Sequence, residues 1–386
     1  MKAIVLGAGM QGMACAFDMA KFGNYDEIIL ADIDKDRAEE AAKKINSDKV
    51  KPMQADISDP DKLIEFIKGA NVVVSAVPYF FNLDITRACI KAKVSMCDMG
   101  GNTDIVFQEL ALDKEAKEAG VTIIPDCGLA PGLANIVAAY GISKFDEVNT
   151  VKIRVGGLPQ IKRPPMDYKL VFSAYGLLNE YSGKSYVLKD GQIEEVYALT
   201  EKETFDFKDM GELEAFHTSG GISTMPWTFK GRVKDMDYKT IRYPGHLDKL
   251  HLLKDLGLMD TGPVKVRGVE VIPRDVLAHL LTAKLDFPND KDLIIMRVEV
   301  TGLKEGKKEC ISFDMLDYHD EENDITSMMR TTAYPVSIIA QMISDGRIKD
   351  KGSLSPEVCV PAAELIEELK KRNINIVQEN KVLEKV

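Results

Sequence analysis

Three glycines near the start of the chain have the spacing of a turn that binds a phosphate. Gly7, Gly9 and Gly12 follow a short apolar segment and precede an amphipathic one, which is the context that a dinucleotide-binding turn requires. The first glycine permits the tight turn, the second lets the backbone approach a pyrophosphate, and the third lets helix and strand pack closely. Met10 and Gln11 begin the helix, whose free N–H groups and positive dipole end face the phosphates. These residues predict a binding site for NAD.

Asp32 is placed to select the nucleotide. It ends the second predicted strand, about 20 residues after Gly12, where a carboxylate accepts hydrogen bonds from the ribose hydroxyls. Its charge opposes the 2′-phosphate of NADP, although Lys35 and Arg37 are near enough to weaken that repulsion. We therefore expect NAD as the cofactor and leave NADP open. The alternative for Asp32 is an ordinary solvated loop carboxylate.

Further candidates for cofactor contacts follow the later strands, because ligands of open α/β sheets bind beyond the carboxyl ends of the strands. They are Asp56 for the adenine edge, Ala76, Val77 and Pro78 for the nicotinamide ribose, and Gly100 and Gly128 for close backbone approach. For Asp56 and residues 76–78 the argument rests on position alone, with ordinary loop structure as the alternative. For the two glycines, simple turn formation is an equal alternative.

The elements that must position these residues alternate regularly over the first 125 residues. Six short apolar segments are separated by amphipathic ones of helical period, which predicts a doubly wound parallel sheet. From Val148 the strands lengthen, and polar, bend-prone turns follow residues 293–301 and 309–318. Those strands, with a further one at 324–329, predict an antiparallel sheet with helices on one face.

A chain of 386 residues is too long for one ordinary core, so we expect two domains. The predicted fold class is α/β, a Rossmann doubly wound parallel sheet plus an α+β second domain with an antiparallel sheet. We assign residues 1–130 to an NAD-binding Rossmann domain, completed by C-terminal helices in 331–386. Residues 131–330 are assigned to substrate binding and oligomerisation.

Composition excludes several classes of protein. The net charge of −11 argues against a nucleic-acid-binding surface, and no window approaches the roughly 20 apolar residues that a membrane span needs. The apolar start is followed at once by glycines and a helix, so it is expected to be a buried strand of a cytoplasmic protein. The six cysteines form no Cys-x-x-Cys pair and have no histidine at ligand spacing, so free thiols and no metal site are expected.

Several longer motifs carry a family resemblance. They are Gly7–Gly12, Asp32, residues 78–82 (PYFFN), 97–101 (CDMGG), 125–132 (PDCGLAPG), 214–221 (EAFHTSGG), 238–243 (YKTIRY) and 330–334 (RTTAY). With these motifs the chain resembles the saccharopine dehydrogenase-like family, and within it the lysine 6-dehydrogenases. The resemblance runs nearly end to end and is weak only at residues 184–208. It implies NAD-linked oxidation at a carbon bearing nitrogen, and a homodimer or higher homo-oligomer built through the second domain.

Oxidation of an amine by hydride transfer needs a base, because the amine must lose its proton. His217 is the first candidate by its intrinsic pKa and its polar surroundings, with a structural histidine that caps a turn as the alternative. Lys169 and Tyr168 are secondary candidates. Asp126 is a further candidate, because a buried turn after a strand would seldom carry a carboxylate without a role or a partner.

An amino-acid substrate also needs its carboxylate held, for which the planar fork of arginine is suited. Arg242 and Arg330 are the candidates, although either could instead pin the two domains together. The remaining candidates for substrate binding are Tyr168, Thr218, Ser219 and Thr331. His246 is a weaker candidate, since it and His251 are expected on a helix surface, and Trp227 and Tyr243 are expected in the core or in a wall.

The leading hypothesis is NAD-dependent oxidative deamination of the lysine side-chain amine. Its products would be NADH, ammonium and 2-aminoadipate 6-semialdehyde, which cyclises to a piperideine carboxylate. The alternative keeps the fold and takes saccharopine or a carboxyalkyl polyamine such as carboxynorspermidine as substrate. Two well-placed arginines favour one carboxylate over several. A protein that binds NAD without turnover is a third possibility, disfavoured because dense polar loops cost stability if unused.

Overall fold

The computed structural model describes residues 1–385, and the backbone divides into two units. The first unit contains Met1–Phe145, Ile222–Thr228 and Met329–Ile376, and the second contains Asp146–Gly221, Phe229–Met328 and the chain from Val377. The first unit thus continues beyond residue 130, where the sequence predicts the boundary, and takes in two later segments. Within the described residues, no helix has both the length and the apolar character that crossing a membrane demands.

The first unit is built on a parallel sheet. Its strands are β1 (Lys2–Leu6), β2 (Glu27–Asp32), β3 (Val50–Gln54), β4 (Val72–Ser75), β5 (Ser95–Asp98) and β6 (Thr122–Ile124). The order β3-β2-β1-β4-β5-β6 reverses direction between β1 and β4, as in a doubly wound Rossmann sheet, which confirms the predicted fold class. A further strand, Gly352–Ser353, pairs in parallel with β6. The sequence pattern missed it because two residues carry no periodicity.

Helices connect the successive strands of this sheet. They are α1 (Met10–Phe22), α2 (Lys35–Ile45), α3 (Pro60–Ile67), α4 (Asn82–Ala92), α5 (Thr103–Leu110), α6 (Asp113–Ala119) and α7 (Ala134–Ile142). The carboxylates of Asp34 and Asp59 and the amide of Asn102 cap α2, α3 and α5 by accepting backbone N–H groups of the first turn. The chain between β5 and β6 forms two helices, with the break at Ala111 and Leu112.

The C-terminal segment returns to this unit. Its helices are α12 (Ser327–Ser344), α13 (Pro356–Cys359) and α14 (Ala362–Lys371). Arg372 donates its Nε–H to Asp18 of α1 at 2.6 Å, and neither side chain is exposed. The part of the first unit that the sequence places at 331–386 ends at Ile376 in the structure, because residues 376–385 form a strand that joins the sheet of the second unit beside the strand of residues 307–318.

The second unit is built on a mixed sheet. Its strands are β7 (Glu147–Pro159), β8 (Lys184–Lys189), β9 (Gln192–Tyr197), β10 (Glu203–Phe207), β11 (Gly211–Phe216), β12 (Val233–Arg242), β15 (Asp292–Lys304), β16 (Lys307–Tyr318) and β18 (Ile376–Lys385). Most neighbours are antiparallel, but β12 and β7 are parallel, so the predicted purely antiparallel sheet is wrong at that pair. A parallel neighbour must start at the same end of the sheet, and the chain between β7 and β12 is long enough to return there.

The strand predicted over 324–329 is also wrong. Helix α12 begins at Ser327, because the carboxylate of Asp292 accepts the backbone N–H groups of Ser327 and Met328 at 2.8 and 2.9 Å. That capping carboxylate is 35 residues earlier in the chain. Thr326, directly before the helix, is a residue type that favours a helix start, but the carboxylate that accepts these two N–H groups comes from a distant part of the sequence.

Three helices and one hairpin complete the second unit. They are α8 (Ala174–Glu180), α10 (His246–Asp255), α11 (Pro273–Leu285) and the two-stranded hairpin of β13 (Val264–Val266) and β14 (Val269–Val271). The helices share an apolar core to which Leu177, Leu250 and Leu281 contribute. The short helix α9 (Met225–Thr228) belongs to the first unit.

Candidate functional site

The glycine turn has the geometry that a dinucleotide requires. Gly7 has φ of +99°, and a Cβ there would lie 2.6 Å from the carbonyl oxygen of Ala76. A Cβ on Gly12 would collide with the carbonyl oxygen of Gly7, so both positions need glycine for packing. A Cβ on Gly9 would meet nothing within 4 Å. The backbone at Gly9 is thus open at the N-terminus of α1, where a pyrophosphate could be accommodated.

Asp32 lies beside this turn. Its carboxylate accepts the backbone N–H of Ala8 at 2.8 Å and that of Asp34 at 3.0 Å, and the Arg37 guanidinium is 3.9 Å away. The side chain is buried, so the turn and the end of β2 hold it in place. A carboxylate fixed in this way retains lone pairs for ribose hydroxyls.

The other residues predicted to contact the cofactor lie at the same edge of the sheet, in different surroundings. Ala76, Val77 and Pro78 directly follow β4, and Met10 is exposed at the start of α1 next to the half-buried Gln11. Asp56 is exposed, and its hydrogen bonds to Ser58 lower the pKa of its carboxyl. Gly100 has φ of +72°, and Gly128 packs near Met99 and Thr332. The structure therefore gives Asp56 a local role in its own turn.

Three buried carboxyl groups meet beyond the ends of β5 and β6. Asp98 ends β5, Glu109 lies on α5, and Asp126 follows β6 with φ of +59°. The Asp98 carboxylate accepts the backbone N–H of Gly100 at 2.6 Å and that of Asp126 at 3.1 Å. Both carboxylate oxygens of Asp126 are buried and make no hydrogen bond of ordinary geometry among the described residues, although the Ser223 hydroxyl lies within reach as a donor. Burial, and then the charge of Asp98, raises the pKa of Asp126 to about 8.

In the second unit, Arg242 lies within a group of aromatic side chains. Its Nε–H donates to the Tyr181 hydroxyl at 2.7 Å, and its terminal nitrogens donate to the carbonyl oxygen of Ile241 and to both oxygens of Glu180. The guanidinium also lies 4.9 Å from the centre of the Tyr168 ring. Arg242 already has a carboxylate partner, so its contacts favour a structural part for it.

His246 belongs to the same group and is fully buried, which corrects the expected surface position. Its Nδ1 lies 3.0 Å from the carbonyl oxygen of Met166 and its Nε2 lies 3.0 Å from the Tyr181 hydroxyl. A carbonyl can only accept, so we assign the proton to Nδ1, and Nε2 accepts from Tyr181. Burial, and then the charge of Arg242, lowers the pKa of His246 to about 3. The ring is therefore neutral.

His217 is buried at the end of β11 and has acceptors at both ring nitrogens. Its Nδ1 lies 3.0 Å from the carbonyl oxygen of Tyr238, and its Nε2 lies 3.1 Å from the Glu201 carboxylate. A general base needs a nitrogen lone pair that is directed at its substrate. The contacts instead favour the alternative of a structural histidine, held between β12 and the loop before β10.

The other residues predicted for the second unit are also held by their neighbours. Thr218 shares a hydrogen bond of 2.7 Å with Thr240, and the Ser219 hydroxyl donates to the carbonyl oxygen of Asn179 at 2.8 Å. The Lys169 ammonium donates to the carbonyl oxygens of Phe287, at 3.2 Å, and of Asp290. Tyr168 is buried, which raises the pKa of its phenol. The sequence missed Tyr181 and Glu180, because each reads as an ordinary helix residue.

Arg330 and Thr331 lie in the first unit, in the second turn of α12. Both are buried, and Arg330 donates to the carbonyl oxygen of Arg372 at 3.0 Å. The next residue, Thr332, packs against Gly128, since a Cβ added to that glycine would lie 3.5 Å from its methyl group. The start of α12 therefore lies beside the loop that carries Asp126. Trp227 packs edge-on against Phe107 but is 39% exposed, so it is not a core residue. Tyr243 is buried in the second unit, as expected, and donates to the carbonyl oxygen of Pro159.

The doubly wound sheet, the open glycine turn and the fixed ribose-side carboxylate define an NAD(P)-binding Rossmann unit, here joined to a second unit with a mixed sheet. Comparison with known proteins supports the same assignment. Residues 3–124 match the saccharopine dehydrogenase NADP binding domain, and residues 128–374 match the saccharopine dehydrogenase C-terminal domain. The chain belongs to the saccharopine dehydrogenase family.

Relatives in this family are named for different reactions. The chain is 24% identical to bovine alpha-aminoadipic semialdehyde synthase over 92% of its own length, but it spans only 45% of that protein. It is 24% identical to carboxynorspermidine synthase of Vibrio alginolyticus, covering 88% of this chain and 84% of the relative. It is 22% identical to the NADP(+)-dependent, L-glutamate-forming saccharopine dehydrogenase of Pyricularia oryzae, covering 87% and 90%.

Solved structures share the whole fold. The apo L-Glu-forming saccharopine dehydrogenase of Saccharomyces cerevisiae matches 99% of this chain and 100% of its own, with a TM-score of 0.81 at 20% identity. A homospermidine synthase from Legionella pneumophila, solved in complex with NAD, matches 98% and 91% with a TM-score of 0.68 at 12% identity. At these identities the likeness establishes the architecture.

Proposed function

We propose that this chain is an NAD-dependent oxidoreductase that removes a hydride from the carbon of a lysine-derived amine, with Asp126 as the base. The observation that carries the proposal is the buried Asp126 carboxyl, whose oxygens make no hydrogen bond of ordinary geometry among the described residues and have the neutral Ser223 hydroxyl within reach. It lies at the carboxyl edge of the sheet that also holds the glycine turn and Asp32. A polar group left in that state costs stability, which argues for use by a ligand.

The chemistry assigns a task to each group. A primary ammonium must lose one proton before hydride departs from its carbon, and Asp126 is proposed to accept that proton. When bound, NAD⁺ supplies the acceptor for the hydride. Water then adds to the resulting imine, and collapse of the adduct releases ammonium and the aldehyde. Because its pKa is raised to about 8, Asp126 can exchange protons near neutral pH.

Asp126 is favoured as the base because two other candidates, His217 and Lys169, are already hydrogen-bonded to neighbouring groups. Both nitrogens of His217 face acceptors, and the Lys169 ammonium donates to two carbonyl oxygens. The N–H groups of Lys169 are therefore directed at backbone carbonyl oxygens. We keep both in the proposal as residues that shape the second unit.

L-Lysine is the substrate that we propose, with 2-aminoadipate 6-semialdehyde as the product. The support is the resemblance to lysine 6-dehydrogenases and the names of the relatives. Arg330 and Thr331 are proposed to hold the substrate carboxylate, because the start of α12 packs beside the Asp126 loop. Saccharopine and carboxynorspermidine are the second candidates, favoured by relatives named for those compounds that align over most of both chains.

A substrate screen tests the proposal. Purified protein is mixed with NAD or NADP and with L-lysine, saccharopine or a carboxyalkyl polyamine, and the reduced nicotinamide is followed by absorbance. We expect reduction with L-lysine and NAD. Reduction with saccharopine alone would transfer the assignment to the second candidate. Dinucleotide binding with no turnover on any of these amines would favour the third possibility, a non-catalytic binding protein.

Self-association is proposed through the hairpin of β13 and β14. Cross-strand pairing sets Val264 opposite Val271 and Val266 opposite Val269, so the four valines share one face. Three of the four are largely exposed, and an isolated two-stranded hairpin is marginally stable in water unless its apolar face is covered. A second copy of the chain is the proposed cover.

Sedimentation measures the mass of the assembled protein and tests this proposal. Val266→Lys should lower that mass, whereas Lys265→Glu on the opposite face should not. Equal masses for both variants and the parent would refute self-association through the hairpin.

A further inference from the structure

The carboxyl groups of Asp98, Glu109 and Asp126 are held in the interior of the first unit with little access to water. At most 1% of each residue is exposed. They come from three elements, the end of β5, helix α5 and the loop after β6. Three ionised carboxylates in one buried cluster would repel strongly, so the cluster must hold protons or cations.

One carboxylate oxygen of Asp98 and one of Glu109 accept hydrogen bonds. Asp98 Oδ1 accepts the N–H groups of Gly100 and Asp126, and Glu109 Oε1 accepts the Thr86 hydroxyl at 2.7 Å. The other two oxygens, Asp98 Oδ2 and Glu109 Oε2, are buried and have no donor among the described residues. The two side chains are within hydrogen-bonding reach of each other. One proton between them satisfies both unpaired oxygens.

We propose that Asp98 and Glu109 share one proton, and that this pair is a positioning device for the Asp126 loop. Glu109 is a positioning residue in this arrangement and does not touch the substrate. The charge of Asp98 is then directed at the two N–H groups that hold the turns of Gly100 and Asp126. A Cβ at position 100 would collide with Asp126 Oδ1, so the glycine leaves space for that oxygen. This inference rests on the proposed function only for its link to catalysis.

The proton affinities agree with this arrangement. Burial, and then the charge of Asp98, raises the pKa of Glu109 to about 10, whereas burial raises the pKa of Asp98 to about 6 against the hydrogen bonds from Asp126 and Gly100. At neutral pH, Glu109 therefore holds the proton and Asp98 is ionised. The other titratable groups that face the cluster are Glu357, opposite Asp126, and the thiols of Cys89, Cys97 and Cys127. Burial raises the pKa of each of these thiols, so they are neutral.

Substitution of Glu109 tests the shared proton. In Glu109→Gln, the amide N–H₂ can donate to Asp98 and the amide oxygen can accept from Thr86, as the protonated acid does. In Glu109→Leu neither bond can form. We expect the Leu variant to lower the folding equilibrium constant at least tenfold in urea titrations at pH 7, and the Gln variant to recover most of that loss. If Gln is as damaging as Leu, Glu109 is ionised and the proposal is overturned.

Infrared spectroscopy supplies a readout that does not depend on activity. The difference spectrum of the parent minus Glu109→Gln should contain the C=O band of a protonated carboxyl at pH 7, and its absence would overturn the proposal. The link to Asp126 is tested separately with Asp98→Asn, which removes the neighbouring negative charge. The acid limb of kcat/KM should then move to lower pH by about one unit, because Asp126 releases its proton more readily. If the infrared band is present but the acid limb of kcat/KM does not move, the shared proton stands and only its link to catalysis is refuted. If the parent protein shows no turnover, only the proposed function is refuted.

Discussion

Removing the charge of Asp32 should weaken NAD binding and reduce the preference for NAD over NADP. Asp32→Asn keeps the shape of the side chain and one oxygen for the N–H of Ala8 or of Asp34, which lie 2.8 and 3.0 Å from the carboxylate. It loses the negative charge that would accept two ribose hydroxyls and repel a 2′-phosphate. Arg37, at 3.9 Å and largely exposed, contributes little to holding the carboxylate.

The magnitude follows from the hydrogen bonds. A hydrogen bond to a charged acceptor contributes about 1.5–3 kcal/mol and one between neutral groups about 0.5–1.5 kcal/mol. Two ribose hydroxyls therefore lose about 2–3 kcal/mol, which corresponds to a roughly 30- to 150-fold rise in the Kd for NADH. The Kd for NADPH should rise less, because loss of repulsion offsets part of the change.

Fluorescence titration with NADH and NADPH at one ionic strength measures both constants. Asp56→Asn is the matched control, because Asp56 also follows a strand of the same sheet but is exposed and accepts the N–H of Ser58 at 2.9 Å. An adenine contact by Asp56 would change both affinities equally, so the control should leave their ratio unchanged. If Asp32→Asn is folded and binds both nucleotides as the parent does, the ribose assignment is refuted.

Three further predictions concern the glycine turn, the buried ion pair and His217. Gly9→Ala should keep the Tm of the parent and lose at least tenfold in NADH affinity. Gly12→Ala should lose about 1–3 kcal/mol of stability, because its Cβ would meet the Gly7 carbonyl. Equal stability of the two variants would contradict this packing argument. Asp18→Asn should cost about 3–5 kcal/mol in urea unfolding, since it leaves Arg372 buried without its closest carboxylate. Glu368→Gln should cost about 1 kcal/mol or less, because the Glu368 side chain is 18% exposed and reaches solvent, whereas that of Asp18 does not. Similar losses in both would show that burial does not decide the cost. His217→Ala should lower the Tm and reduce kcat by less than about tenfold, below the range of a general base; a hundredfold loss of kcat at an unchanged Tm would restore His217 as the base.

The Rossmann unit could be predicted from the sequence because its signals are local. The G-x-G-x-x-G turn and Asp32 each depend on residues that are neighbours in the chain, and the six strand segments alternate with helices at regular spacing. Capping residues such as Asp34 and Asp59 precede their helices directly, so the helix starts are local as well. The alternation and the right-handed crossovers leave few possible orders for the parallel strands, and the structure selects β3-β2-β1-β4-β5-β6 among them.

The tertiary structure decided the features in which distant residues meet. Glu109 looks like a surface residue of an amphipathic helix, and only the packing of α5 beside Asp98 places it among buried carboxyls. The start of α12 depends on Asp292, which lies far earlier in the chain. In the same way, the parallel pairing of β12 with β7 has no signal in either strand.

The candidate bases illustrate the division most clearly. The sequence by itself determined which residue types could accept a proton, and it named His217, Lys169 and Asp126 for that reason. Which of them has a free lone pair depends on partners supplied by other segments. Glu201 and the Tyr238 carbonyl contact the two nitrogens of His217, and the carbonyl oxygens of Phe287 and Asp290 accept from Lys169. The Asp126 carboxylate makes no hydrogen bond of ordinary geometry among the described residues, and the donor within its reach is the neutral Ser223 hydroxyl. Intrinsic chemistry is therefore local, but its availability is a property of the packing, because hydrogen-bond partners come from wherever the chain folds back.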